Sequence, residues 1–287
     1  MAQATDELQA TEEIAAAQAL VDPGSAEMVA QESTWRRALF PSAFLLAVLV
    51  LWEIASRATD VPAYILPAPT AIADRMVRSW SILWDHSVVT LTEIGIGFAM
   101  GVAFGLALAI PISYSAVVRN TLYPLIVASQ AVPKIAIAPL LVLWLGFDIW
   151  PKIVVTALMV FFPVTVTAAE GFSSVDRNLL DLLRSVHASP TQIFFRVRFP
   201  HALPHIFSGL KIGITLAVVG AVVGEWVGAD SGLGYLLVYA NTLLDSTLLF
   251  ASLFLLIAIG VVLFVLVGIA ERLLLPWHQG EETYRAA

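Results

Sequence analysis

The sequence predicts an all-α fold, a polytopic helical membrane protein with six transmembrane helices and a cytosolic helix-turn-helix loop. Three observations predict it. Of 287 residues, 59% are hydrophobic and only 13% charged, against about 25% charged in soluble domains, and the mean hydropathy is +0.85. Apolar runs recur that match the roughly 20 residues a spanning helix needs. A polar, arginine-bearing segment at 174–204 separates two of these runs. It must lie outside the bilayer, because a charge at the membrane centre costs at least about 2.5–3.5 kcal/mol.

Residues 1–35 carry seven acids and no Lys or Arg, so the whole formal charge of −7 sits on this stretch. Its Ala/Gln/Glu composition predicts a flexible or marginally helical cytosolic tail. The acidic start and late first apolar run argue against a signal peptide. Residues 36–274 form the transmembrane domain, with 174–204 inside it, and 275–287 a cytosolic C-terminal tail. Cys is absent, which removes disulfide and thiolate chemistry.

The predicted spans are 38–57, 87–112, 119–147, 151–171, 207–229 and 248–270. Arg36 and Arg37 before the first place the N-terminus in the cytosol. Six crossings then return the C-terminus there, with Arg119, Arg177, Arg184, Arg196, Arg198 and Arg272 inside and Arg57, Arg75, Arg78 and Lys152 opposite. Glu53 and Arg57 form a natural i,i+4 pair. Between the first two spans, Ile72, Met76, Trp80 and Leu83 recur at helical spacing. They predict either an amphipathic helix on the outer surface or an ordinary loop helix packed on the protein. Gly97, Gly101 and Gly105, and again Gly220, Gly224 and Gly228, recur every four residues. Such ladders predict close helix packing, since lipid supplies no hydrophobic drive for association.

In the polar segment Asp176 predicts a helix cap, and Leu179, Leu180, Leu182, Leu183 and Val186 a single apolar stripe. Asp181 and Arg184 fall towards the polar side, and the helix stops near His187-Ala188. Ser189, Pro190 and Gln192 predict a capping box opening a second helix, which Pro200 ends. The long third span carries Pro133 and Pro139, which break or kink it, and freed carbonyls survive only inside protein or beside a watery cavity. Gln130 and Lys134 flank the first break and are candidates for contact with a polar or anionic solute. The alternative is that Lys134 pairs with Glu93 or Glu225 and holds the helices together. Glu225, deep in the fifth span, is a third candidate for the pathway, as intramembrane ionisable groups are by default.

The polar segment resembles the EAA loop of bacterial ABC-importer permeases, whose pattern is E-A-A-x3-G-x9-I-x-L-P. Asp181 takes the acid position, Leu182 and Leu183 those of the alanines, His187 that of the glycine, and Val197, Phe199 and Pro200 the tail. His187 departs from the pattern at a turn that favours a left-handed residue, though His adopts that region more readily than most. ALPHIFSGLKI and VVGEWVGADSGLGYLL look like the subgroup serving nitrate, sulfonate, taurine, bicarbonate and related solutes. Pro133-Lys134 and GEWVGA look closer to permeases for pyrimidine thiamine precursors. The resemblance covers about residues 60–275 and implies a permease subunit in the bacterial inner membrane. It implies an ATP-binding subunit dimer contacting Asp181, Leu182, Leu183, Arg184, His187, Ala188 and Pro200. It also implies a second permease copy, forming a homodimer, and an extracytoplasmic solute-binding protein. ATP and Mg belong to the partner ATPase. No phosphate-binding GxxxxGK[ST] run and no His/Asp/Glu cluster at metal-ligand spacing is found, so no cofactor, metal or catalytic residue is expected on this chain, and no nucleic-acid partner. A secondary transporter driven by an ion gradient, or a membrane scaffold recruiting cytosolic proteins, are the alternatives.

Overall fold

The computed structural model describes residues 23–59, 62 and 64–276, and the described residues form ten helices and no strand. They are α1 Pro23–Ala58, α2 Pro69–Arg78, α3 Trp80–Tyr114, α4 Ala116–Ser129, α5 Lys134–Leu145, α6 Trp150–Ser173, α7 Arg177–Ser185, α8 Pro190–Trp226, α9 Leu233–Thr242 and α10 Ser246–Leu274. Two units are distinguished, residues 1–70 and 71–287.

In the first unit α1 starts at Pro23 and contains the predicted span 38–57. The part of the acidic stretch before Pro23 lies outside the described residues, as does most of the C-terminal tail. Near the end of α1, Glu53 pairs with Arg57 at 2.5 Å and accepts the Thr70 N–H at 3.0 Å.

In the second unit α3, α6, α8 and α10 are each long and apolar enough to cross a membrane, and α4 with α5 makes a fifth crossing if that pair, bent by 93°, is one broken span. Ser79 leaves helical geometry between α2 and α3, so Trp80 and Leu83 begin the long crossing helix. The amphipathic helix therefore ends at Arg78 and holds only Ile72 and Met76 of the four residues grouped by spacing. Pro133, extended at φ −67° and ψ 106°, ends the third predicted span as one rod, because the residue before a proline avoids the helical region. Pro139, also predicted to bend the chain, stays inside α5.

The helix expected to stop at Pro200 instead runs on to Trp226. A π-helical turn at Phe194–Arg198 widens the backbone just ahead of the proline, where Phe199 N–H bonds to Phe194 C=O. A local insertion of this kind accommodates a ring that an unbroken α-helical ladder would reject.

Helix α6 is the axis of packing, lying between α3 and α8. Gly97, Gly101 and Gly105 bring α3 onto Thr156, Val160 and Val164, while Gly220 and Gly224 bring α8 onto the backbone of Thr156 and Lys152. Ile94, Val160, Val164, Ile214, Ala217 and Ala221 fill the shared core. Gly228, grouped with the second ladder by spacing, lies past the end of α8 at φ +139°.

Asp245 caps α10 by accepting the Leu248 N–H at 3.1 Å and pairs with Arg75 of α2 at 2.7 Å. Partial burial would raise its pKa, but the Thr247 hydroxyl, the Leu248 N–H and Arg75 together hold it below the ordinary carboxylate value. Asp245→Ala is expected to cost about 1 kcal/mol, read as a lower melting temperature of the purified permease. Because the folded-state pKa is depressed, this stabilisation is present above the ordinary aspartate pKa and is lost as pH falls through the depressed one. A melting difference unchanged on acidification below that range would refute this assignment.

Candidate functional site

Two regions carry candidate function, the polar segment at one end of the second unit and a cavity at the break between α4 and α5. In the polar segment the Asp176 carboxylate accepts the Asn178 N–H at 2.9 Å and starts α7. His187 terminates it at φ +60°. The His187 N–H bonds to Arg184 C=O and the Ala188 N–H to Leu183 C=O, both at 3.0 Å, the paired bonds of a Schellman ending. Histidine thus takes the left-handed position that glycine usually fills. Ser189 and Gln192 then form the reciprocal capping box that opens α8.

The leucines do not act as one stripe. Leu180 is buried with Val175 and Ile193, and Leu183, Ala188 and Val197 pack around them as a small core of the segment itself. Leu179, Leu182 and Val186 face outward, Leu182 61% and Val186 67% exposed. Asp181 and Arg184, both exposed, pair with each other at 2.9 Å. Pro200 lies within α8 and is half-buried.

Sequence reasoning missed the joint that ties this segment to the spans. Phe194 contacts Tyr114 at the end of α3, Phe172 near the end of α6, and Phe195 and Phe199. The Arg198 guanidinium lies 4.6 Å above the Tyr114 ring and donates to the Phe172 carbonyl at 3.4 Å. The run FFRVRF was the available signal, since three aromatics and two arginines in six residues at a membrane boundary exceed what a connecting turn requires.

The cavity, about 300 Å³, is lined by Gln130, Lys134, Met159, Phe162, Thr167 and Leu216 among others. Gln130 closes the C-terminus of α4 and Lys134 is the first residue of α5. Both therefore stand at the 93° bend, Lys134 in the first turn of α5, whose N-terminus is the positive end of that helix. Neither Gln130 nor Lys134 has a side-chain hydrogen bond or ion pair among the described residues. The rest of the wall is almost wholly apolar.

Glu225 is elsewhere, 2% exposed and bound on every side. It accepts the Thr90 hydroxyl at 2.6 Å, the Tyr235 N–H at 3.1 Å and the Gly234 N–H. Glu93, 0% exposed, has the Lys152 ammonium 3.5 Å away as its countercharge. Both partners considered for Lys134 are thus engaged by other groups. The pairing of Glu93 with Lys152 was missed because they come from helices distant in sequence; their places in the N-terminal halves of α3 and α6 were the only clue.

Residues 101–277 match the family described as binding-protein-dependent transport system inner membrane component, and the chain belongs to it. It is 40% identical over 244 residues to the formylaminopyrimidine transport permease protein ThiX of Halalkalibacterium halodurans, covering 85% of this chain and 97% of that one. It is 31% identical to the taurine transport system permease protein TauC of Escherichia coli, covering 81% and 88%. The fold matches a chain of the inward-facing MetNI methionine ABC transporter with a TM-score of 0.61 at 18% identity, covering 68% of this chain and 97% of that one. The protein is therefore a multi-pass inner-membrane permease, a non-catalytic subunit of an ABC transporter. In this family ATP binding lies on a separate ATPase subunit, and a solute-binding protein is the other partner.

Proposed function

We propose that this permease lines the pathway of an ATP-driven importer for a small, flat nitrogen heterocycle of the formylaminopyrimidine kind. The 174–204 segment faces the cytosol and receives the ATPase dimer, the apolar part of α1 supplies a sixth crossing, and a second copy of the chain completes the pathway. The observation that carries the coupling reading is the outward stripe of Leu179, Leu182 and Val186 on a helix capped at both ends. An apolar stripe held rigid and solvent-facing suits a groove on a soluble partner. Behind it, the Phe194 and Arg198 joint to α3 and α6 gives a path for motion into the spans.

The solute reading rests on the cavity. Apolar walls with one amide and one ammonium suit a planar ring carrying a few acceptor atoms. The relative that transports formylaminopyrimidine, similar over nearly its whole length, supports the same choice. A sulfonate or taurine is the second reading, favoured by the positive end of α5 together with Lys134 and by the taurine relative.

Retention of labelled formylaminopyrimidine, and not of taurine, by the cognate binding protein is the result expected; the reverse would assign the second reading. In proteoliposomes with the ATPase subunit, Leu182→Glu is expected to weaken ATPase association about thirtyfold, equivalent to about 2 kcal/mol at an interface anchor. Uptake should fall in parallel, with insertion of the permease unchanged. Uptake that persists without any ATPase would instead support an ion-driven secondary transporter.

A further inference from the structure

Residues 224–234, GEWVGADSGLG, fold into a buckle around the Glu225 carboxylate. One oxygen accepts the Gly234 and Tyr235 N–H groups at the start of α9. The other accepts the Thr90 hydroxyl of α3, and that hydroxyl in turn accepts the Leu233 N–H at 2.8 Å. His86, one turn earlier on α3, accepts the Gly232 N–H through Nδ1 at 2.8 Å. Gly232 is left-handed at φ +110°, and a Cβ there would run into the Glu225 carboxyl. Residues 227–232 are thereby fastened at both ends, Val227 by the end of α8 and Gly232 by α3.

The fastened loop touches α5 and its C-terminal flank. Gly228, at φ +139°, lies so close to Phe147 that a Cβ would stand 3.1 Å from the ring. Phe147 directly follows Gly146, which ends α5. One turn inside, Val223 packs with Ala138 and Leu141 of α5 and with Val155 of α6, and Val227 packs on the same cluster. The opposite end of α5 is Lys134, at the cavity. The twelve residues of α5 therefore join the loop to the cavity wall.

We propose that Glu225 is a positioning residue that locks loop 227–232 to α5, so that the loop and the cavity wall move as one body. The face opposite the 174–204 segment then sets the position of Lys134. The proposal builds on the reading of the cavity as the solute pathway, yet the lock itself is tested without any solute.

The chain has no cysteine, which permits clean labelling. Asp230→Cys on the loop and Ala136→Cys on α5, both exposed positions, would carry spin labels in full-length permease reconstituted in nanodiscs with its ATPase subunit. The distance between them is measured nucleotide-free and with ATP–vanadate. The expected result is one narrow distance peak, unchanged between the two states. Glu225→Leu and Phe147→Ala should each broaden or split that peak, and Glu225→Gln, which keeps an acceptor for Gly234 and Tyr235, should restore it. Phe147 is 79% exposed, so its truncation leaves the helix core intact and keeps the test decisive if Glu225→Leu does not fold. A distance that changes with nucleotide in the otherwise native chain, or a peak indifferent to Phe147→Ala, would overturn the proposal. A normal lock beside unaltered uptake in Lys134→Ala would remove the pathway reading and leave the lock standing.

Discussion

Leucine at Gly101 or at Gly220 is expected to prevent accumulation of folded permease, whereas leucine at Gly95 or Gly268 should be tolerated. At Gly101 a Cβ would stand 2.6 Å from Val160 Cβ and 2.7 Å from the Ala157 carbonyl, and at Gly220 it would stand 2.7 Å from Thr156 Cα. These neighbours belong to the backbone and branched stems of α6, which is pressed from its other side by the second ladder. It cannot retreat from one helix without entering the other. Overpacking in a dense core costs about 3 kcal/mol at the upper end of its usual range, and each ladder site should reach that range because no flexible side chain can yield. At Gly95, on the same helix as Gly101, and at Gly268 nothing lies within 4 Å of the added carbon. Yield of monodisperse protein on size-exclusion chromatography separates the two classes. Equal yields would mean that α3, α6 and α8 do not pack through these glycines.

The ladders were legible in the sequence because a four-residue period of small residues has few uses in an apolar helix. The helix ends of the polar segment were legible for a related reason, since capping chemistry is local. Asp176, Ser189 and Gln192 form their bonds within three residues of themselves. His187 was readable as a left-handed turn because it stands at the glycine position of the EAA pattern and His adopts that region more readily than most residues. Where partners come from different helices, legibility failed. Leu180 and Leu183 turn inward while Leu179 and Leu182 turn outward, a choice fixed by Val175 and Ile193 and invisible in the leucine spacing. Pro200 carries a strong stop signal, overridden by the π turn ahead of it. The break at Pro133 was foreseen with Gln130 and Lys134 beside it, but the cavity they share needs Met159, Phe162, Thr167 and Leu216 from two other helices. Glu225 looked like Lys134 as an intramembrane charge, and only the fold distinguishes a group held by Thr90, Gly234 and Tyr235 from one with no side-chain hydrogen bond or ion pair among the described residues.

The same contrast makes Lys152 the site of the second large effect. Lys152→Met is expected to destabilise the permease by about 3–5 kcal/mol, the usual cost of removing one member of a buried ion pair. Methionine keeps an unbranched stem, and the Lys152 stem is what packs against Gly224, so the helix contact with α8 survives the change. What is lost is the countercharge of Glu93, whose buried carboxyl otherwise lies against the Glu225 carboxyl. Glu93→Leu in the same chain should recover most of that loss, because an apolar pair of similar volume often matches a buried ion pair in stability. Thermal unfolding of the two single variants and the double variant closes the cycle, and a positive coupling energy is the expected outcome. If Lys152→Met melts with the native chain, or the double variant is no better than the single, Glu93 is held by something other than this ammonium. Recovery of stability without recovery of ATP-driven uptake would add that the charged pair serves the transport cycle as well as the fold.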